Sequence, residues 1–407
     1  MTRIAITGLG ALTGLGGSVR EIFAQLLEGR TAARRLPALV GTPLDVGPLV
    51  AVTFPGEAQS DGSSLFSGQP RAGRLLQWAA VDALRDAGLA ADSSQSSLRI
   101  GVCVATTLGE KAPWLAGVES LVRQPSLPIS SPQFGCALLA AQLAQQLGAQ
   151  RQRVVSTACC SSNSALAVSL TWLRSGLCDV VLCGGVDVLT PFVVSGFRSL
   201  RAQSAEPCRP FDRRRSGVNL GEAAACVVLE QESHARARGQ RILAYLAGAG
   251  LSQDAHHMTA PDPQGRGAML AMQRALSDAG FPLEAVDFVS SHGTGTPFND
   301  QMEARALGLL FGERAPHIPV NSIKGAVGHT LGAGGLLEAV MAVQILATQQ
   351  IPPTVGLEEP DPAFALDFVM GGPRTTEVRC ILSSASGFGG ENAAVVFRSA
   401  SSVGDKT

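Results

Sequence analysis

Apolar runs of strand length alternate with helical stretches along this whole sequence. Strand patterns fall at 3–7, 99–105, 153–157, 179–183, 224–229, 244–247, 288–291, 317–321 and 393–397. Helical patterns fall at 74–87, 134–147, 162–173, 267–279 and 331–348. Continuous apolar strands belong to sheets covered on both faces, so the alternation predicts an α/β protein. One arrangement occurs twice. Strand 153–157 runs through a small-residue turn, Ala158-Cys159, into a helix, and strand 317–321 runs through Gly328-His329 into another. The pattern predicts two related halves, 1–240 and 241–407, although no repeat of sequence identity is visible. The Pro-, Gly- and Ser-rich stretch 30–67 reads as an excursion outside the core, and the polar tail after 400 as a frayed end.

Composition narrows the field. Apolar residues are 45%, aromatics only 5% and charged residues 16%, a profile of small side chains packing helices closely onto sheets and not of disorder. Lys plus Arg number 32 against 33 Asp plus Glu, and no aromatic interleaving accompanies the basic residues, which argues against nucleic acid. Nine cysteines lack paired metal-type spacing, and an odd count points to a reducing compartment. The apolar N-terminus reads as a strand entering a glycine turn, and no uncharged apolar run of about 18 residues suggests a membrane span. The expectation is a cytoplasmic protein without a membrane or metal site.

Four segments could carry chemistry. In Val155-Ser-Thr-Ala-Cys-Cys160, Cys159 falls on a strand-to-helix turn. Free N–H groups at a helix start push a thiol toward thiolate and can later hold an oxyanion. A lone cysteine is more often core packing, and Cys160 is read that way. Ser291-His-Gly-Thr-Gly-Thr-Pro297 ends a strand with His292, and Thr294 and Thr296 can bond an extended polar chain. In Asn321-Ser-Ile-Lys-Gly-Ala-Val-Gly-His329, His329 opens a helix whose positive end lowers its pKa, while Lys324 taken alone is an ordinary surface charge. Ser386-Gly-Phe-Gly-Gly390 sets Phe388 among glycines, as a core plug or a gate.

Taken in order, Thr-Ala-Cys, His-Gly-Thr-Gly-Thr, Lys-x4-His and Gly-Phe-Gly-Gly form a specific series. It resembles the elongating β-ketoacyl-acyl-carrier-protein synthases of the thiolase superfamily, with Arg209-Pro-Phe-Asp212 and His257-Met-Thr-Ala-Pro261 as further landmarks. The resemblance implies the thiolase fold, five-layered αβαβα built from two similar halves. It implies that Cys159 takes an acyl group from an acyl carrier protein and that a malonyl-carrier is decarboxylated to attack it, without redox cofactor or metal. By the same resemblance His292 and His329 stabilise the enolate oxygen, their roles undivided. Lys324, with Glu338 as structural partner, orders the histidines. The N–H groups of Cys159 and Phe388 form the oxyanion hole, Phe388 gates access, and Thr294 and Thr296 hold the pantetheine arm.

The departures from the family pattern concern substrate. Gln150-Arg-Gln-Arg153 replaces a usual Gly-Pro, Ser386 stands where an aromatic is common, and Val193 where a glycine often lines the acyl pocket. Leu108, Val193 and Phe197 are expected to set pocket depth. An acidic carrier calls for a basic patch, with Arg71, Arg74, Arg198, Arg201 and the run from Arg213 as candidates. A homodimer, or a heterodimer with a related ketosynthase subunit, is expected. Two rivals weigh less. Gly8-Leu-Gly10-x-x-x-Gly14 misses the dinucleotide fingerprint by one position. A non-catalytic chain-length-factor-like subunit usually lacks the cysteine. Fatty-acid and specialised polyketide or polyene pathways both fit.

Overall fold

The computed structural model describes residues 2–63, 70–92, 98–110 and 135–401. Its strands are β1 (Ile4–Thr13), β2 (Ile100–Ala105), β3 (Arg151–Val155), β4 (Val180–Asp187), β5 (Ala223–Gln231), β6 (Ala244–Gln253), β7 (Phe288–Ser290) and β8 (Pro319–Asn321). The short β9 (Gln350–Ile351), β10 (Asp367–Phe368) and β11 (Arg374–Thr375) precede β12 (Cys380–Gly387) and β13 (Glu391–Ser399). The helices are α1 (Val19–Leu27), α2 (Ala72–Asp86), α3 (Ala137–Leu147), α4 (Ser161–Arg174), α5 (Pro191–Ser199) and α6 (Glu232–Ala237). They continue with α7 (Arg266–Ala279), α8 (Pro297–Phe311), the single turn α9 (Lys324–Val327) and α10 (Gly334–Thr348). Residue 134, the expected start of the helix over 134–147, and residues 64–67 of the excursion lie outside the described residues, as does the tail from 402.

Eleven strands form one sheet in the order β10-β8-β7-β12-β13-β6-β1-β5-β4-β2-β3. From β3 inward the order is β3-β2-β4-β5-β1, and the other side repeats it as β8-β7-β12-β13-β6. Senses repeat too: β2 is parallel to β3 and β4 as β7 is to β8 and β12, whereas β5 and β13 run antiparallel to their neighbours. The sides join where β1 pairs with β6 over Ile4–Leu246, Ala5–Tyr245 and Ile6–Ala244. Helices α4 and α10 contact strands of both sides and form the central layer. Helices α2 and α3 cover one outer face, and α7 covers the other with α8 packed on it. The result is the αβαβα sequence of layers.

The duplication extends to details that residue identity hides. A bulge at Thr7 in β1 matches one at Ala247 in β6. After each bulge comes Gly-x-Gly. A Cβ on Gly10 would lie 2.0 Å from the Ala79 carbonyl of α2, and one on Gly250 would lie 2.2 Å from the Ala271 carbonyl of α7. The middle residue of each motif sends its N–H to a helix carboxylate, Leu9 to Asp86 and Ala249 to Asp278, both at 3.0 Å. These aspartates sit in matching strings, Ala83-Leu-Arg-Asp-Ala-Gly88 and Ala275-Leu-Ser-Asp-Ala-Gly280. A short sequence repeat therefore exists, contrary to expectation.

Other boundaries shift. The expected helix 331–348 begins as a 3-10 turn, Leu331–Ala333, and only then becomes α10. The segment Leu331–Thr348 is long and apolar enough to cross a membrane but is 83% buried inside the protein, as its central position requires. The excursion is irregular yet not peripheral, since Leu36, Leu39, Leu44 and Leu49 are buried against Leu189, Val193 and Leu331. Strand β12 and helices α1, α5, α6 and α8 were not among the expected elements.

Candidate active site

Cys159 follows β3 on a tight turn in which Ala158 adopts φ +49°, a left-handed conformation costly for a residue with a Cβ. The turn is held by Cys160 N–H to the Thr157 carbonyl at 3.2 Å and by Thr157 N–H to Ser161 Oγ at 2.9 Å. The Cys159 side chain is buried, with the N–H groups of Cys159 itself and Phe388 against its sulfur. These N–H groups and the Lys324 charge favour thiolate. Burial outweighs them, with the Asp187 carboxylate adding to it, and pushes the thiol up to about 12. The expected shift toward thiolate is thus reversed, because this helix start is closed to water.

His329 is reached from the matching strand of the other half. It lies between α9 and the 331–333 turn, its backbone fixed by His329 N–H to Asn219 O (2.7 Å) and Gly221 N–H to His329 O (3.0 Å). Its Nε2 is 3.0 Å from Cys159 Sγ. Burial first, then the Lys324 charge, brings its pKa down to about 3. The direction agrees with expectation, but the cause is desolvation and Lys324. His292, at the end of β7, is held well below its ordinary value by burial, Lys324 and His329. The two imidazoles stand perpendicular, with centroids 5.4 Å apart.

Lys324 is 3% exposed and its Nζ lies 2.6 Å from Glu338 Oε1, so reading it as a surface charge does not hold. Burial raises the Glu338 pKa, opposed by the Lys324 charge. Two further carboxylates shape the site and were not anticipated. Glu303 Oε1 accepts from His292 N–H (2.6 Å) and Ser384 Oγ (2.9 Å), and its Oε2 accepts from Gly293 N–H (2.7 Å). Asp300 accepts from the N–H groups of Thr294 (3.0 Å) and Phe211 (2.7 Å). Both lie in the first turns of α8, three residues apart and on one buried face. That spacing after Thr-Pro was the available signal.

A cavity of about 340 Å³ connects these groups to the surface, lined by Cys159, His292, His329, Phe197, Phe388, Thr294, Thr296 and Ser386 among others. Thr294 and Thr296 share a hydroxyl hydrogen bond of 2.8 Å. Phe388 stacks on Phe197 at 5.6 Å, and Phe197 stands edge-on to His329 at 6.4 Å. Gly389 (φ +89°) and Gly390 (φ +80°) give the Phe388 loop a turn that other residues resist. Leu108, Val193 and Phe197 do come together, in one apolar cluster beside the cavity, although of the three only Phe197 lines it. Ser386 donates to Asn392 Oδ1 at 2.7 Å.

The expected basic patch is largely neutralised. Arg71 is mostly buried and chelates Glu222 (2.8 Å), a buried carboxylate that also accepts from Val52 and Leu189 N–H. Arg71 is therefore an internal tie and not a docking cation. Arg74 covers the Phe54 ring and pairs with Glu57. Arg198 donates to the Pro43 carbonyl, and Arg213 pairs with Glu359. Arg214 pairs with Glu358 and Arg215 with Asp361. Arg198 and Arg201, both exposed, have no carboxylate partner among the described residues, and Arg201 lines the cavity.

Comparison with known proteins gives a consistent result. Residues 1–235 match the β-ketoacyl synthase N-terminal domain and residues 243–358 the β-ketoacyl synthase C-terminal domain. The chain is 32% identical to 3-oxoacyl-[acyl-carrier-protein] synthase 2 of Synechocystis, over 97% of this chain and 98% of that one. It is 36% identical to nodulation protein E of Rhizobium meliloti, over 97% and 99%. Among solved structures, a β-ketoacyl synthase from Burkholderia phymatum superposes with a TM-score of 0.87 at 33% identity, covering 98% of this chain and 100% of that one. The ishigamide ketosynthase/chain length factor gives 0.87 at 31% identity over 98% and 99%. A type II polyketide acyl-carrier protein in complex with its ketosynthase gives 0.88 at 26% identity over 98% and 99%.

Proposed function

This chain belongs to the β-ketoacyl synthase family, and from that premise we propose that it extends an acyl thioester on Cys159 by decarboxylative condensation with malonyl-acyl carrier protein. The observation that carries the assignment of roles is the 3.0 Å approach of His329 Nε2 to Cys159 Sγ inside a buried cavity. In the first stage the Cys159 proton passes to His329 as sulfur attacks the acyl thioester. The carbonyl oxygen turns toward the N–H groups of Cys159 and Phe388, and the departing pantetheine thiolate takes the proton. In the second stage the malonyl carboxylate leaves as CO2, and its electron pair forms an enolate whose oxygen is held by His292 and His329. A neutral imidazole donates a hydrogen bond without first giving up a proton, which the burial of both rings favours. The enolate carbon attacks the Cys159 thioester, Cys159 departs as thiolate, and a β-ketoacyl chain two carbons longer remains on the carrier. Carbon dioxide loss supplies the driving force, so the reading requires neither metal nor redox cofactor.

Thr294 and Thr296 line the passage the pantetheine arm takes, and Phe388 on its glycine loop opens it between stages. The assembled Cys159, His292, His329 and Lys324 favour catalysis over a chain-length-factor-like role. Among the described residues β3 is an edge strand of the sheet, which supports a dimer, either of two copies or with a related ketosynthase subunit, and the many buried cysteines agree with the cytoplasm. Incubation with an acyl-carrier donor is expected to add one acyl group to Cys159 by mass spectrometry, and Cys159→Ala to abolish both the adduct and condensation. Condensation retained by Cys159→Ala would remove the proposal.

A further inference from the structure

Two loops must keep their places for the site to work, the one that carries His292, Thr294 and Thr296 and the one that carries His329. They leave different strands, β7 and β8, and a third segment lies against both. Gly217 N–H donates to the Gly295 carbonyl at 3.0 Å. Four residues on, His329 N–H donates to the Asn219 carbonyl at 2.7 Å and Gly221 N–H to the His329 carbonyl at 3.0 Å. The strip 217–221 therefore bridges the two loops.

Asn219 stands in this strip between the buried apolar side chains of Val218 and Leu220 and is itself 1% exposed. An amide buried there costs free energy unless its polar atoms are bonded, and both of them are. Its Oδ1 accepts from Cys208 N–H at 2.6 Å, and its Nδ2 donates to the carbonyls of Glu206 (3.1 Å) and Ser204 (3.3 Å). An N–H facing the oxygen and two carbonyls facing the nitrogen leave only this orientation of the side chain. Asn219 thus clips the segment 204–208 onto the strip. Cys208 carries the clip onward to the threonine loop. Its Sγ lies 3.1 Å from the Thr294 carbonyl, and a Cβ placed on Gly295 would meet that sulfur at 2.7 Å. Burial, with the Asp300 charge adding to it, pushes the Cys208 thiol up to about 12, so the sulfur keeps its proton and donates. Neither Cys208 nor Asn219 is among the described residues that line the cavity.

We propose that Cys208 and Asn219 are positioning residues, which fix the Thr294–Thr296 loop against the His329 strip so that the threonines grip the pantetheine arm of the substrate. The inference rests on the role proposed above for Thr294 and Thr296. Loosening the clip lets the threonine loop shift relative to Cys159, which weakens the hold on the arm and leaves the nucleophile and its proton acceptor in place.

The test compares two thioesters of one acyl group, with acylation of Cys159 followed by mass spectrometry. One is hexanoyl-pantetheine, and the other is the hexanoyl thioester of 2-mercaptoethanol, which lacks both amides of the arm. In Asn219→Ala the half-saturating concentration of hexanoyl-pantetheine is expected to rise about tenfold, with its limiting rate changed less than about threefold. Acylation by the truncated thioester is expected to change less than about twofold. Cys208→Ala is expected to lose about fivefold in preference for the arm, and Cys208→Ser, whose hydroxyl donates to the same carbonyl, to recover most of it. This second pair keeps the proposal testable where Asn219→Ala fails to fold. Equal losses on both thioesters, or a Cys208→Ser no better than Cys208→Ala, overturn the proposal and leave the two side chains a structural role only. Thr296→Val is the reference. A preference unchanged in Thr296→Val removes the reading of the threonines and the proposal with it. A preference lost there but kept in the Asn219 and Cys208 variants overturns the proposal alone.

Discussion

At the scale of single residues, the chemistry depends on what burial does to ionisation. Cys159, raised to about 12, is a thiol at neutral pH, and its nucleophilicity comes from proton transfer to His329 within the pair rather than from standing thiolate. Its alkylation by iodoacetamide is therefore expected to change less than about threefold from pH 7 to 10, since both partners keep their protonation over that window. A rise of about tenfold per pH unit would mean that standing thiolate reacts without His329. His329 carries the opposite linkage. Its folded pKa lies below the ordinary 6.5, so the stability it contributes is present above 6.5 and drains as pH falls toward about 3. Between pH 6.5 and 4 that loss amounts to about 3 kcal/mol, and His329→Asn is expected to flatten the fall in denaturation midpoint over this window. Val193, packed with Phe197 and Leu108, bears on substrate. Val193→Gly is expected to lengthen the longest accepted acyl chain by about two carbons, roughly the volume removed, read from product chain lengths.

At the scale of elements, the segment from α9 to α10 carries both His329 and the buried ion pair beside it. Lys324 on α9 reaches Glu338 on α10 across the break that holds His329, so one buried ion pair ties the two sides of the break together and adds to the effect of burial on the histidine's pKa. Removing one partner leaves a buried charge, and Lys324→Met is expected to cost about 3–5 kcal/mol by chemical denaturation. Lys324→Met/Glu338→Met should regain more than half of that loss. In both variants the His292 and His329 titrations should move upward, since the Lys324 charge helps hold them down, and NMR of labelled histidines reads this directly. A merely structural pair would restore both quantities together. Sequence placed Lys324 in a motif but took it, alone, for a surface charge. A signal lay in its rarity, since Lys324 is one of three lysines, with Lys111 and Lys406, in a chain whose other basic residues are arginine. Helix α8 was missed for a physical reason. Its buried face includes Asp300 and Glu303, so its hydrophobic pattern is broken where function requires carboxylates.

At the scale of the whole molecule, duplication explains why the site forms at all. β3 and β8 hold equivalent places in the two halves, and the loops that leave them carry Cys159 and His329. The central layer of α4 and α10 lets these loops meet. The same symmetry makes a prediction about stability. Gly10→Ala and Gly250→Ala drive a Cβ into a helix carbonyl at 2.0 and 2.2 Å, and each is expected to destabilise the protein by about 3 kcal/mol or more. Similar losses at both sites support equivalent halves, whereas tolerance at either shows that its helix can withdraw.

Cys159 and its companions could be named from sequence because turn chemistry and motif order are local and the alternation of strands and helices is periodic. The order of the reactive segments and an α/β fold followed from that information, and the αβαβα layering from the family resemblance that the order carries. Ionisation did not, because it depends on which groups exclude water from one another after folding, and so the expected thiolate became a thiol. Nor did the pairing of the basic residues, since arginines that looked free in the sequence meet Glu222, Glu358, Glu359 and Asp361 only once distant segments pack. Local order selected the reacting groups, and tertiary burial and pairing decided their charge and what was left exposed around them.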